Sequence, residues 1–103
     1  MEAQSLFEQL VEEYTQNEGV TAGKMMSSPA IQYRGKVFAF FYKNAMTFKL
    51  GKKFDPESYG LTEWSYLSHF RNKPPMRGWV VIEEPEKAQW PQLTELAFSF
   101  IQK

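Results

Sequence analysis

The two ends of the chain share one pattern, in which apolar residues recur every three or four positions. Near the amino terminus these residues are Leu6, Phe7, Leu10, Val11 and Tyr14. Near the carboxyl terminus they are Leu93, Leu96, Ala97, Phe100 and Ile101. This spacing predicts two amphipathic helices. Ser5 and Glu8 fit a capping box, although the first helix can begin earlier; Gly19 can end it, and Pro91 is tolerated in a first helical turn.

Between the predicted helices, three short segments rich in aromatic and β-branched residues predict an antiparallel meander. The segments are Ala30–Tyr33, Lys36–Tyr42 and Ala45–Leu50. If Arg34-Gly35 forms the first loop, Ile31 lies opposite Phe38 and Tyr33 lies opposite Lys36.

The length of the second loop decides which side chains share a face, because a shift of one residue turns every side chain over. A two-residue loop would pair Phe40 with Thr47 and Phe38 with Lys49, and would place aromatic rings and a lysine on the same face of the sheet. We favour a three-residue loop, since each large apolar side chain that it buries stabilises the fold by roughly 1.5–3 kcal/mol. Its pairs would be Tyr42 with Met46, Phe40 with Phe48 and Phe38 with Leu50. The opposite face would then carry Val37, Ala39, Phe41, Thr47 and Lys49.

The rest of the chain adds one strand to this meander. Residues 51–78 contain many helix and strand breakers, and "LTEWSYLSHF" within them fits either a helical turn or an edge strand. Residues 79–82, "WVVI", predict a short buried strand. We therefore expect a single domain over residues 1–103 with an α+β fold. Its antiparallel sheet, a β-meander plus a further strand, would have the N-terminal and C-terminal helices packed on it.

Composition supports an ordered domain with unevenly distributed charge. A chain of 103 residues with 43% hydrophobic residues can bury a core, and the absence of cysteine excludes disulfides and thiolate zinc sites. Twelve basic and twelve acidic side chains cancel overall. Residues 1–18 hold five acids and no base, whereas residues 19–82 hold ten bases and three acids. No apolar run is long enough for a signal peptide or a membrane span, so we expect a cytoplasmic protein.

Candidate catalytic residues are few. His69 is the only histidine, and no partners for a metal or for general-base chemistry stand at suitable spacing around it. Ser27 and Ser28 lack a nucleophile motif and fit a turn before Pro29. Glu83, Glu84 and Glu86 fit a helix start, where the helix dipole favours acids. We therefore expect neither an enzyme nor a bound cofactor or metal.

Several motifs, taken in order, resemble the TfoX amino-terminal-domain family and its YjbR-like relatives. They are Lys24-Met25, Gly35-Lys36-Val37-Phe38-Ala39, Phe54-Asp55-Pro56, Met76-Arg77-Gly78-Trp79-Val80-Val81 and Trp90-Pro91-Gln92-Leu93. The resemblance covers roughly residues 5–102 and implies a small bacterial α+β domain; the named TfoX proteins are competence regulators, not enzymes. The chain departs from the family at Met26-Ser27-Ser28-Pro29, where Met-Phe-Gly-Gly is common. TfoX proteins usually carry a second, carboxy-terminal domain, which we do not expect here.

Two kinds of partner remain. Lysines interleaved with aromatics are typical of single-strand binders, and the basic segment 24–77 could bind nucleic acid. The candidate basic surface comprises Lys24, Arg34, Lys36, Lys49, Lys52, Lys53, Arg71, Lys73 and Arg77. The favoured register, however, buries Phe38, Phe40 and Phe48 and leaves few rings to stack. We therefore favour a regulatory or protein-interaction module. The second sheet face would bind a partner or a second copy, or be covered by residues 51–78.

Overall fold

The computed structural model describes residues 2–25, 27–67 and 76–103, with the backbone alone at residues 76 and 77. The helices are α1 (Ala3–Tyr14) and α2 (Trp90–Ile101). The strands are β1 (Val20–Met25), β2 (Ser28–Tyr33), β3 (Lys36–Tyr42), β4 (Ala45–Lys49), β5 (Trp64–Leu67) and β6 (Met76–Ile82). Short 3-10 helices span Pro56–Tyr59 and Glu84–Gln89. The predicted α+β fold is confirmed.

The six strands form one antiparallel sheet in the order β1-β2-β3-β4-β6-β5. Segment 64–67, for which the sequence allowed two conformations, is therefore an edge strand. Strand β1 was not predicted, and β6 begins three residues earlier than the predicted strand 79–82. Both helices pack on the same face of the sheet: α1 contacts β1 and β2, while α2 contacts β3 and β4.

The two helices form where the spacing predicts them. Ala3, Phe7, Leu10 and Tyr14 are the buried residues of α1, and Trp90, Leu93, Thr94 and Ala97 are those of α2. The capping-box prediction is wrong, because Glu2 occupies the N-cap position without a side-chain hydrogen bond and Ser5 lies inside the helix. The two helices run in the same direction along the sheet. Helix α1 starts beside Asn44 of the β3–β4 turn, and α2 ends beside Gly51, which lies beyond β4 at the opposite end of the sheet.

The first hairpin has the predicted loop but carries a β-bulge. Tyr33 pairs with Lys36 around Arg34-Gly35, whose φ values are +50° and +84°. Farther along, Ile31 pairs with Ala39 and not with Phe38. Phe38 is the extra residue of the bulge, so Phe38 and Ala39, although consecutive, both belong to the core under the helices.

The three-residue loop predicted for the second hairpin is wrong. Lys43 and Asn44, at φ values of +51° and +62°, form a two-residue turn in which Tyr42 pairs with Ala45 and Phe40 with Thr47. Positive φ at both turn residues is the geometry that suits the twist of a hairpin. The prediction failed because it placed Phe38, Phe40 and Phe48 together on one continuously apolar face, whereas buried aromatic rings lie on both faces of the sheet.

The sheet therefore separates two apolar clusters. Under the helices, the β3–β4 hairpin contributes Phe38, Ala39, Phe41, Met46 and Phe48 to the main core. On the opposite face, Ala30, Phe40 and Trp79 are buried, and Met25, Val37 and Leu67 pack against them. Relative to the prediction, Ala39 and Phe41 have changed to the helix side and Phe40 to the other side.

Candidate binding site at the basic end of the sheet

The antiparallel connections collect positive charge at one end of the sheet. The β2–β3 turn lies at this end, and so does the end of β4, because Phe48 pairs with Ala39 as β4 returns along β3. The start of β6 joins them: the backbone N–H groups of Leu50 and Gly51 donate to the Gly78 carbonyl at 3.0 and 3.1 Å. We call this region the basic end of the sheet.

Five of the nine residues of the candidate basic surface lie at this end of the sheet, and the other four have no described side chain there. The five are Arg34, Lys36, Lys49, Lys52 and Lys53. Lys24 pairs with Pro29 near the end of β1 that lies away from the β2–β3 turn. Arg71 and Lys73 lie outside the described residues, and the backbone of Arg77 belongs to β6 at the basic end.

Two of these cations lie over aromatic rings of their own chain. The Lys49 ammonium is 5.7 Å from the centroid of the Trp79 ring, and the Arg34 guanidinium is 5.2 Å from that of Tyr33. Each contact is worth roughly 0.5–1 kcal/mol at an exposed site. These rings are thus already covered by cations of the protein.

A groove of about 530 Å³ opens beside Lys52 and Lys53. Its lining, which we call the basic groove, consists of Leu50, Gly51, Lys52, Lys53, Phe100 and Lys103. Gly51 has a φ of +86°, and a Cβ placed there would lie 2.7 Å from Cε1 of Phe100. The glycine therefore lets the aromatic ring at the end of α2 lie directly over the backbone, as the apolar wall of the groove.

The lysines of the basic groove have no acidic partner in the described part of the chain. The sole ion pair among residues 2–25, 27–67 and 76–103 joins Lys87 to Glu84 at 3.0 Å. Asp55 is the nearest acid in sequence, and its carboxylate instead accepts a hydrogen bond from the Glu57 backbone, 3.1 Å away. The groove can therefore offer its positive charge to an external anion.

Three phenylalanines of β3 and β4 are too deeply buried to stack on bases in this fold. Phe38 and Phe48 are 0% exposed and Phe40 is 2% exposed. The large apolar side chains exposed in the described residues are Tyr42, Tyr59 and Phe100. The sequence did not decide whether the second sheet face is exposed or covered. In the structure, its centre is shielded from solvent at Phe40 and at the neighbouring Thr47.

The residues considered for catalysis do not form a site in the described structure. Ser27 lies in the β1–β2 turn at a φ of +73° and Ser28 begins β2. The Glu86 carboxylate accepts hydrogen bonds from the Thr62 hydroxyl and backbone N–H, and these bonds lower the pKa of Glu86. They also connect the second 3-10 helix to the segment before β5. His69 lies outside the described residues, and no cluster of three acidic, histidine or cysteine ligands occurs among those that are described.

A partly buried hydrogen bond joins the two helices, and a buried one joins α2 to the sheet. The Tyr14 hydroxyl donates to Glu95 at 2.8 Å, and the Trp90 indole donates to the Ile82 carbonyl at 3.2 Å. Burial, with the hydrogen bond and charge of Glu95, raises the pKa of Tyr14 above its ordinary value of 10.0. Because each donor has its acceptor, these two contacts contribute to the stability of the fold and supply no free reactive group.

Sequence reasoning missed the apolar half of the groove. Phe100 belongs to the apolar stripe of the predicted helix, a pattern that indicates burial, yet it is 37% exposed. A usable signal was the run Leu50-Gly51-Lys52-Lys53, in which glycine follows a strand and precedes two cations. Such a glycine allows a close approach by another group.

Comparison with protein-family models, with curated proteins and with solved structures finds no match. In the described residues, no helix is long and apolar enough to span a bilayer. The fold and the basic end of the sheet are therefore the observations from which a function can be inferred.

Proposed function

We propose that the protein is a non-catalytic binding module of the TfoX amino-terminal type that acts in the cytoplasm by binding another protein. The observation that carries this proposal is the basic groove, where lysines without an acidic partner in the described chain surround an exposed aromatic ring. Cations beside an apolar wall suit a protein partner, because protein interfaces combine a central apolar contact with a polar rim.

The second candidate is a nucleic-acid-binding module that uses the same basic end. It is favoured by the location of Arg34, Lys36 and Lys49 at the same end of the sheet as the groove lysines. It is disfavoured by the burial of the three β3 and β4 phenylalanines, since sequence-tolerant single-strand binders stack bases on exposed aromatic rings. Binding to phosphate alone would remain available and would depend steeply on salt.

Fluorescence anisotropy separates the two candidates. The protein is titrated into labelled single- and double-stranded DNA and RNA, and into a labelled glutamate-rich peptide, at low and moderate salt. We expect peptide binding to be retained at a salt concentration that abolishes nucleic-acid binding. Tight nucleic-acid binding with no peptide binding would overturn the protein-partner proposal in favour of the second candidate.

A second copy of the chain is a further protein partner to test. Light scattering on a size-exclusion column should give about 12.1 kDa, the mass of one chain, if the partner is a different protein. A mass near twice that value would identify the partner as a second copy, as is common for small soluble domains.

A further inference from the structure

The basic groove has features that restrict what it can bind. The Gly51 N–H already donates to Gly78, and the Gly51 carbonyl accepts from the Phe54 N–H at 3.3 Å. Both backbone groups of the groove floor are therefore used within the chain, and a strand-like ligand would find no backbone partner at Gly51. The groove offers the Phe100 ring and lysine charge, so it recognises side chains.

The positive charge of the groove exceeds what the fold requires. Lysines near the end of α2 can interact with the helix dipole, which carries roughly half a negative charge at that terminus. Lys52 and Lys53 bring two positive charges, and Lys103 lines the same groove. The dipole therefore offsets only a fraction of this charge, and the rest is available to an anionic ligand.

Two acidic segments of the described chain, in α1 and near Asp55, are poorly suited to this groove. Along α1, the apolar neighbours Leu10 and Tyr14 of the exposed glutamates are buried in the core. Near Asp55, the exposed ring of Tyr59 stacks on Phe54 with a centroid distance of 5.0 Å. A ligand from outside the chain can present an acidic and an apolar side chain together, which a second copy does less readily.

We propose that the basic groove binds an acidic segment of a partner protein that inserts one large apolar side chain against Phe100 while its carboxylates contact Lys52 and Lys53. This inference rests on the proposed function and specifies its partner. The apolar side chain adds contact area against an exposed ring, and the carboxylates add charge complementarity that weakens with salt.

The test compares three labelled peptides by fluorescence anisotropy: glutamate-rich with a central leucine, glutamate-rich with a central serine, and a lysine-rich peptide with leucine. We expect the first to bind about tenfold more tightly than the second, and the third not to bind. Phe100→Ala should remove the preference for leucine, and Tyr59→Ala, another exposed aromatic position, should retain it.

The lysines are tested with two double variants that change the net charge by the same amount. Lys52→Glu/Lys53→Glu should weaken binding of the first peptide at least tenfold. Lys24→Glu/Lys43→Glu changes the charge equally at positions far from the groove and should leave the affinity within about twofold. Circular dichroism melting verifies that each variant is folded; should a double variant unfold, the single variants Lys53→Glu and Lys24→Glu provide the same comparison.

The outcomes distinguish this inference from the function on which it rests. Equal binding of the leucine and serine peptides would overturn the apolar anchor and leave a protein-binding module that recognises charge alone. Failure of every acidic peptide to bind would overturn both. Loss of binding in the Lys24→Glu/Lys43→Glu control to the same degree would show that overall charge, not the groove, is recognised, and would also overturn the inference.

Discussion

Replacing Phe40 with alanine tests whether the aromatic rings of β3 are structural. Phe40 is 2% exposed, and its ring centroid lies 5.9 Å from that of Trp79 on the face away from the helices. Truncating a buried phenylalanine typically costs about 3–5 kcal/mol, which includes the loss of an aromatic pair worth roughly 0.5–1.5 kcal/mol. For a domain of this size, about 4 °C per kcal/mol predicts a melting temperature lower by at least about 12 °C.

Tyr42 supplies a matched control on the same strand and face. It lies two residues beyond Phe40 but is 55% exposed, so Tyr42→Ala should change the free energy of unfolding by no more than about 0.5 kcal/mol. Urea denaturation followed by circular dichroism measures both variants. If the slope of the unfolding free energy against urea concentration is unchanged, the lower stability of Phe40→Ala reflects the native state and not a change in the unfolded chain.

Two results would refute this reasoning. A loss below about 1 kcal/mol for Phe40→Ala would mean that the ring contributes little to the second cluster. A stable Phe40→Ala variant whose affinity for single-stranded nucleic acid drops by about 1–3 kcal/mol would show that the ring stacks on bases. In that case the nucleic-acid function would replace the protein-partner proposal.

Three further substitutions test the other contacts of the fold. Trp90→Phe removes a buried donor to a β6 carbonyl and should lower the free energy of unfolding by about 2 kcal/mol in urea denaturation. Tyr14→Phe should lower it by about 1 kcal/mol at pH 7. Burial and the Glu95 contact raise the pKa of Tyr14, so folded Tyr14 stays protonated at a pH where the unfolded chain ionises. Wild-type stability should therefore fall as pH rises above 10.0, and should fall less in the variant. Equal slopes would exclude Tyr14 as the cause. Gly51→Ala should destabilise more than Gly35→Ala in thermal melts, since both glycines have positive φ but only Gly51 has a neighbouring ring within 4 Å.

Parts of the fold that depend on local pattern were predictable from the sequence. Both helices follow from apolar spacing, and the Arg34-Gly35 turn follows from glycine between two aromatic segments. Strand β1 was missed because Val20–Met25 includes glycine, threonine and lysine and lies at a sheet edge, where little apolar character is needed.

The register of β3 was not predictable by the same means. From Val37 to Tyr42 every residue is apolar or aromatic, so alternation gives no indication of which side each one faces. The bulge at Phe38 then changes the phase within the strand. The groove required tertiary information as well, because Lys52 and Phe100 are far apart in sequence and meet only when α2 ends beside Gly51.

The central position of β3 has a consequence for how the protein avoids aggregation. Val37–Tyr42 is the segment best suited to forming fibrils, since it is aromatic, uncharged and free of proline. It is hydrogen-bonded on both sides, to β2 and β4, and the bulge directs its rings into two separate clusters. Of the two edge strands, β1 carries Lys24, a charge that discourages strand addition. Conditions that open the sheet, including substitutions in either cluster, should therefore cause precipitation together with unfolding.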